Sequence, residues 1–116
     1  RTDLYSLSYY GEAPIKSYLD YWAKNAPDSP VFGNKNIMVG EYGIKLEDGR
    51  VNGSEEKQAQ YLKGVRDIAR SWGVPYIFLF WLADQDSKVS TEGSFGLVDL
   101  KGQPRKAWQE LYAAYH

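Results

Sequence analysis

Cysteine is absent from this chain of 116 residues, and histidine and methionine occur once each. Without thiols there is no disulfide scaffold, no thiolate zinc site and no cysteine nucleophile. An excess of charge of one sign is missing too. Fourteen basic residues face fifteen acidic ones, for a net charge of −1, so no basic field draws the chain to nucleic acid or to an anionic membrane. The longest apolar run, Val74 to Ala83, contains Pro75 and is too short to span a bilayer. No basic-plus-apolar leader precedes the first strand. The chain starts at Arg1 rather than at a methionine, which suggests a processed or excised polypeptide. Phosphate loops, dinucleotide fingerprints, HExxH and GxSxG are all missing, and no cofactor or metal is expected.

What is present is aromatic. Phe, Trp and Tyr make up 16% of the residues, with ten tyrosines and four tryptophans, against an ordinary apolar share of 43% and charged share of 25%. These residues fall into a repeated strand-then-helix order. Leu4 to Tyr10 alternates, with Leu4, Ser6, Ser8 and Tyr10 on one face and Tyr5, Leu7 and Tyr9 on the other. A helix follows from about Pro14 to Asn25, with Ile15, Tyr18, Leu19 and Trp22 as its apolar stripe. Ile37 to Tyr42 is a near-continuous apolar strand ending in a carboxylate. After the Gly43–Gly53 loop, Ser54 caps a helix that runs to Gly73, with Glu55 and Glu56 against its dipole. Its stripe is Tyr61, Leu62, Val65, Ile68, Ala69 and Trp72.

Tyr76 to Leu82 reads as a third strand, apolar on both faces as in a buried parallel sheet. A polar loop from Asp84 to about Gly93 and an extended segment, Phe95 to Leu100, lead through a Lys101-Gly102 turn into a last helix opened by Pro104. Ala107, Trp108, Leu111, Tyr112 and Tyr115 line one side of that helix, and the helix tryptophans read as core. Strands alternating with helices predict a parallel α/β sheet. By size it is either a small layered domain or about three of the eight units of a (β/α)8 barrel, which takes about 250 residues.

Chemistry in such sheets gathers at the carboxyl ends of the strands. Ser8-Tyr9-Tyr10, Gly40-Glu41-Tyr42 and Trp81-Leu82-Ala83-Asp84 stand there. Glu41 is the pivotal residue: a carboxylate in a strand fit for burial costs several kcal/mol unless it is partnered or protonated. It reads as a nucleophile or base, or as a strand-end glutamate bound to the next loop. Gly40 beside it would let a ligand or backbone come close. The Asp84-Gln85-Asp86 cluster reads as sugar-hydroxyl ligands or a solvated loop, with too few oxygens for a calcium site. Glu47-Asp48-Gly49 reads as a turn, and His116 as a frayed terminus.

Val39-Gly40-Glu41-Tyr42-Gly43 resembles the GE(F/Y)G ending of strand seven in clan A glycoside hydrolases, nearest to the family 5 type. Ile77-Phe78-Leu79-Phe80-Trp81 resembles that clan's strand eight. Phe95-Gly96-Leu97-Val98-Asp99 followed by Gly102-Gln103-Pro104-Arg105-Lys106-Ala107-Trp108 resembles the clan's closing segment. The resemblance implies that residues 1–116 are the C-terminal portion, about strands six to eight, of a (β/α)8 barrel. It implies a retaining hydrolase of poly- or oligosaccharides, secreted to the outside of the cell. Glu41 would be the nucleophile. Tyr10 would donate its hydroxyl to it and hold it ionised and aimed. Trp81 would stack on the sugar, with Ser8 (where many relatives have His), Tyr42 and Asp84 as further substrate contacts. The clan's acid/base ends strand four in an Asn-Glu pair, and no Asn-Glu occurs here. The chain would therefore be inactive alone and need an N-terminal barrel segment, in the same or another polypeptide, as partner. A non-catalytic sugar-binding module, or a fragment that self-assembles through raw strand edges, is the competing reading.

Overall fold

The alternating apolar pattern of residues 4–10 and the continuous one of residues 37–42 build two neighbouring strands. The computed structural model describes residues 2–11, 14–84 and 94–116. The element order is β1 (Tyr5–Tyr9), α1 (Ile15–Asn25), β2 (Ile37–Tyr42), α2 (Glu55–Trp72), β3 (Ile77–Leu79) and α3 (Lys106–Tyr115). The chain divides into two units, Arg1–Tyr42 with Val65–Leu79, and Gly43–Gly64 with Phe80–His116. α2 runs from the second into the first.

The first unit holds an open parallel sheet in the order β1-β2-β3. Tyr5, Leu7, Ile37, Val39 and Ile77 are register partners and therefore share one face. That face carries α1: Ile15 and Leu19 are fully buried, and Tyr9 meets Tyr18 edge-to-face at 5.9 Å. Ser6, Met38 and Phe78 lie on the other face, which no element of this unit covers among the described residues. β2 carries one residue more than its neighbours. Leu7 pairs with Val39 but Ser8 pairs with Glu41, and residues 40 and 41 both stand opposite Phe78.

The expectation of the C-terminal portion of a (β/α)8 barrel does not hold. The residues build a small α/β fold with a three-stranded open sheet, of order β1-β2-β3. Strand–helix alternation is common to both architectures, and periodicity alone could not separate them. The third strand is also shorter than residues 76–82 and is not buried on both faces. Tyr76 and Phe78 are 51% and 53% exposed because β3 is an edge strand and these rings project from the uncovered face.

The helix tryptophans were expected in the core, and none is fully buried. Trp22 is 49% exposed. Trp72 is half-buried, its indole N–H donating to Asp20 at 3.0 Å and its ring lying 4.3 Å from the Lys35 ammonium. A three-stranded sheet cannot cover the full width of these stripes, and an indole N–H keeps its edge near a polar partner. The Lys16 ammonium, then that indole, hold the Asp20 carboxyl below the usual carboxylate range. In α3 only Ala107 of the expected stripe is buried. The caps of α2 follow the sequence: the Lys57 N–H donates to the Ser54 hydroxyl at 3.3 Å, and Gly73 leaves the helix at φ +95°.

The second unit is organised around one ion pair. Both Arg105 terminal nitrogens donate to Asp84, each at 2.6 Å, and Arg105 also donates to the Gly96 carbonyl at 2.7 Å. The Gly96 N–H donates back to Asp84 at 2.8 Å. Asp84 raises the Arg105 guanidinium above its ordinary range. Gly96 passes so close to the Asp84 backbone that a Cβ there would collide with it, and Gly43 likewise lies against the Phe80 carbonyl. Around this node Ile44, Val51, Leu62, Phe95, Leu97 and Ala107 form the buried core. Leaving a largely buried carboxylate uncompensated costs about 3 kcal/mol or more. Arg105→Ala is therefore expected to lower the urea-unfolding free energy by about that amount, whereas the paired change Asp84→Leu with Arg105→Met should cost clearly less. Equal losses in the two variants would show that the ion pair is not the organising contact.

Candidate functional site

Strict alternation along β2 would put Glu41 on the face of Val39, under the helices. The extra residue at Gly40 reverses this. Past the bulge, Glu41 pairs with Ser8 and Tyr42 with Tyr9, so Glu41 joins Ser6, Ser8 and Phe78 on the uncovered face, while Tyr42 turns into the core. Gly40 makes the bulge possible, since a Cβ there would run into the Ser6 side chain. The space opened beside Glu41 is thus filled by β1 rather than by a ligand.

Tyr10 follows β1, and its hydroxyl donates to Glu41 Oε2 at 2.6 Å. Both side chains are half-buried. A short charge-assisted bond of this kind fixes the carboxylate's rotamer and leaves its other oxygen for a second partner. Ser8 is exposed beside it. The site of the first unit is therefore a carboxylate aimed by a phenol, flanked by a serine hydroxyl and by the Phe78 ring, at the carboxyl end of the central strand.

The other expected site residues fare differently. Tyr42 is 3% exposed and is a core residue; the bulge that turns Glu41 outward turns Tyr42 inward. Both Asp84 oxygens are engaged by Arg105, with the Gly96 N–H sharing one of them, the geometry of a framework contact rather than a sugar ligand. The rest of the cluster, Gln85 and Asp86, lies outside the described residues. Trp81, in the second unit, is 36% exposed, its ring tilted against Phe80 with centroids 3.7 Å apart. His116 accompanies Tyr112, with stacked rings 4.1 Å apart. No group of three His, Cys, Asp or Glu side chains is placed to hold a metal among the described residues, and no described helix is long and apolar enough to cross a membrane. Phe78 is the neighbour of Glu41 that the sequence did not single out. Its signal was the register of β3, which is visible only once the bulge is known.

Searches against protein-family models and curated proteins returned no match. Solved structures do match. A GH2 β-galacturonidase from Eisenbergiella tayi superimposes with a TM-score of 0.70 at 22% identity, over 97% of this chain and 22% of that one. A β-glucuronidase from Faecalibacterium prausnitzii gives 0.67 at 19% identity, over 97% and 21%. One from Bifidobacterium dentium gives 0.68 at 19%, over 97% and 20%. The chain spans about a fifth of the length of these structures and shares the fold of that portion. The relatives found by fold are family 2 glycoside hydrolases, which corrects the expected family 5 type.

The bulge makes a direct prediction. Gly40→Ala is expected to destabilise the chain by about 1–3 kcal/mol, the usual cost of overpacking. Adding Ser6→Gly should recover most of the loss, because it removes the side chain that the new methyl meets. Thermal or urea unfolding of the two variants checks this, and no recovery in the double variant would place the strain elsewhere.

Proposed function

We propose that this chain supplies the nucleophile half of a retaining glycosidase site. The observation that carries the reading is the 2.6 Å bond from Tyr10 to Glu41 on the sheet's uncovered face, and the shared fold with family 2 glycoside hydrolases supports it. A Glu41 carboxylate oxygen attacks the anomeric carbon. The C–O bond to the leaving group breaks as that oxygen takes a proton from an acid, and a glycosyl ester of Glu41 forms. Water, deprotonated by the same acid/base, then displaces Glu41 and releases the sugar. The acid/base stands about 5 Å from the nucleophile in such enzymes. Here it is assigned to a polypeptide segment outside residues 1–116, in the same or another chain, and the chain alone is inactive. Tyr10 positions Glu41, Ser8 bonds a sugar hydroxyl, and the Trp81 ring offers a flat surface for sugar C–H groups. Tyr42 and Asp84 act through the framework. Aryl β-glucuronides and β-galacturonides are the first substrates to try, given the names of the structurally similar enzymes.

In the enzyme containing this sequence, Glu41→Gln is expected to cut turnover of aryl glycosides about 1,000-fold or more, close to 4 kcal/mol of transition-state stabilisation. A 2-deoxy-2-fluoro glycoside should leave its sugar on the peptide carrying Glu41. Full activity in Glu41→Gln, or a label on another carboxylate, would overturn the assignment, and Glu41-dependent turnover by residues 1–116 alone would overturn the half-site reading.

A second reading, sugar binding without hydrolysis, is favoured by the lack of an Asn-Glu pair together with the exposed Trp81 ring. It predicts calorimetric binding of oligosaccharides by this chain, weakened about tenfold in Trp81→Ala, the loss of one stacking contact worth about 1–1.5 kcal/mol. Binding that Trp81→Ala leaves unchanged would exclude it.

A further inference from the structure

β1 lies at the edge of the sheet without the usual protection. The Tyr5 N–H donates to the Asn36 carbonyl at 2.9 Å. By the alternation of a parallel ladder, Tyr5, Leu7 and Tyr9 then turn their backbone groups toward β2, and Ser6 and Ser8 turn theirs outward. Both serines are exposed. Residues 4–10 contain no charged side chain and no proline, the devices that normally keep an edge from pairing. Beside the strand lies a cavity of about 460 Å³ bordered by Tyr5, Leu7, Trp22, Ala26, Pro27 and Ile37, with Trp22 half in solvent. The strand itself reads Tyr-Ser-Leu-Ser-Tyr in either direction.

We propose that β1 is a self-complementary docking edge and that its occupant is β1 of a second copy of this chain, antiparallel about a two-fold axis at Leu7. The palindrome puts Ser6 opposite Ser8 of the other copy. The outward N–H and C=O groups of these serines are the ones that exchange bonds in an antiparallel ladder, giving four hydrogen bonds across the axis. Leu7 meets Leu7 as a non-hydrogen-bonded pair, and Tyr5 meets Tyr9. Such cross-strand aromatic and apolar pairs stabilise the ladder. A two-fold normal to the sheet keeps the helix-covered faces of both copies on one side, so the cavity receives Tyr5 and Leu7 of the partner copy and covers Trp22. The interface is isologous and closes at two chains. Pairing of β1 with β3 of another copy would instead propagate. The inference is independent of the glycosidase reading.

The chain's lack of cysteine gives a clean test. In a non-hydrogen-bonded antiparallel pair the Cα atoms lie about 4.5 Å apart, within disulfide range. Thiols introduced at position 5 would sit roughly 13 Å apart across the axis at about 3.4 Å per residue. The chain is expected to sediment at twice its 13.2 kDa, and under mild oxidation Leu7→Cys should form a covalent dimer while Tyr5→Cys does not. Hydrogen exchange on the unaltered chain reads the same edge without a substitution: the Ser6 and Ser8 amides should become protected as concentration rises. A monomer at every concentration, equal cross-linking at positions 5 and 7, a ladder of higher oligomers, or fast exchange at both serines at every concentration would each overturn the proposal.

Discussion

One surplus residue in the central strand decides where the chemistry of the first unit points. A strand has a period of two, so each inserted residue moves everything after it to the other face. Without the Gly40 bulge, Glu41 would lie under α1 and α2 as a buried charge, and Tyr42 would stand on the open face. With it, a bulky phenol goes to the core and a carboxylate goes to the side where Tyr10 can reach it. The same insertion brings Ser8 and Phe78 to the flanks of Glu41. Glycine is required there because a Cβ would meet the Ser6 side chain, so the small residue serves the strand pairing first and the site through it.

Much of this was legible from the sequence. Residues 37–42 form the expected strand, Ser54 and Gly73 bound α2, and the strand-end position of Glu41 marked it as the residue to watch. These are local signals: periodicity, caps and glycine punctuation act over a few residues. What escaped is what depends on partners distant in sequence. Asp84 looked like the start of a solvated loop, yet it is bound by Arg105, twenty-one positions later. Tyr42 looked like a site residue because strand-end position was read without the bulge. The aromatic run at 76–82 looked buried because apolar composition reports affinity for cover, not its presence.

That last difference is physically informative. Tyr76, Phe78 and Trp22 are large rings left half in water, and exposed apolar surface gathered on one sheet face and one strand edge is unusual for a chain that functions without contacts. The bare face and the β1 edge are separate demands. The edge needs a strand to bond, the face needs apolar cover, and one occupant need not serve both.

The bare face also limits what Glu41 can do in the chain alone. A carboxylate stabilises a developing positive centre far better in a water-excluded pocket than beside bulk solvent, because the preorganised field is then not screened. Tyr10 supplies orientation, which is half of that requirement. Exclusion of water from the other half-exposed flank must come from whatever covers Ser8, Phe78 and the carboxylate itself. Cover and the second carboxylate are therefore two parts of one requirement: a segment able to shield Glu41 is placed to carry the acid/base, and a segment that only donates a proton, without closing the face, would leave the nucleophile aimed but weakly effective.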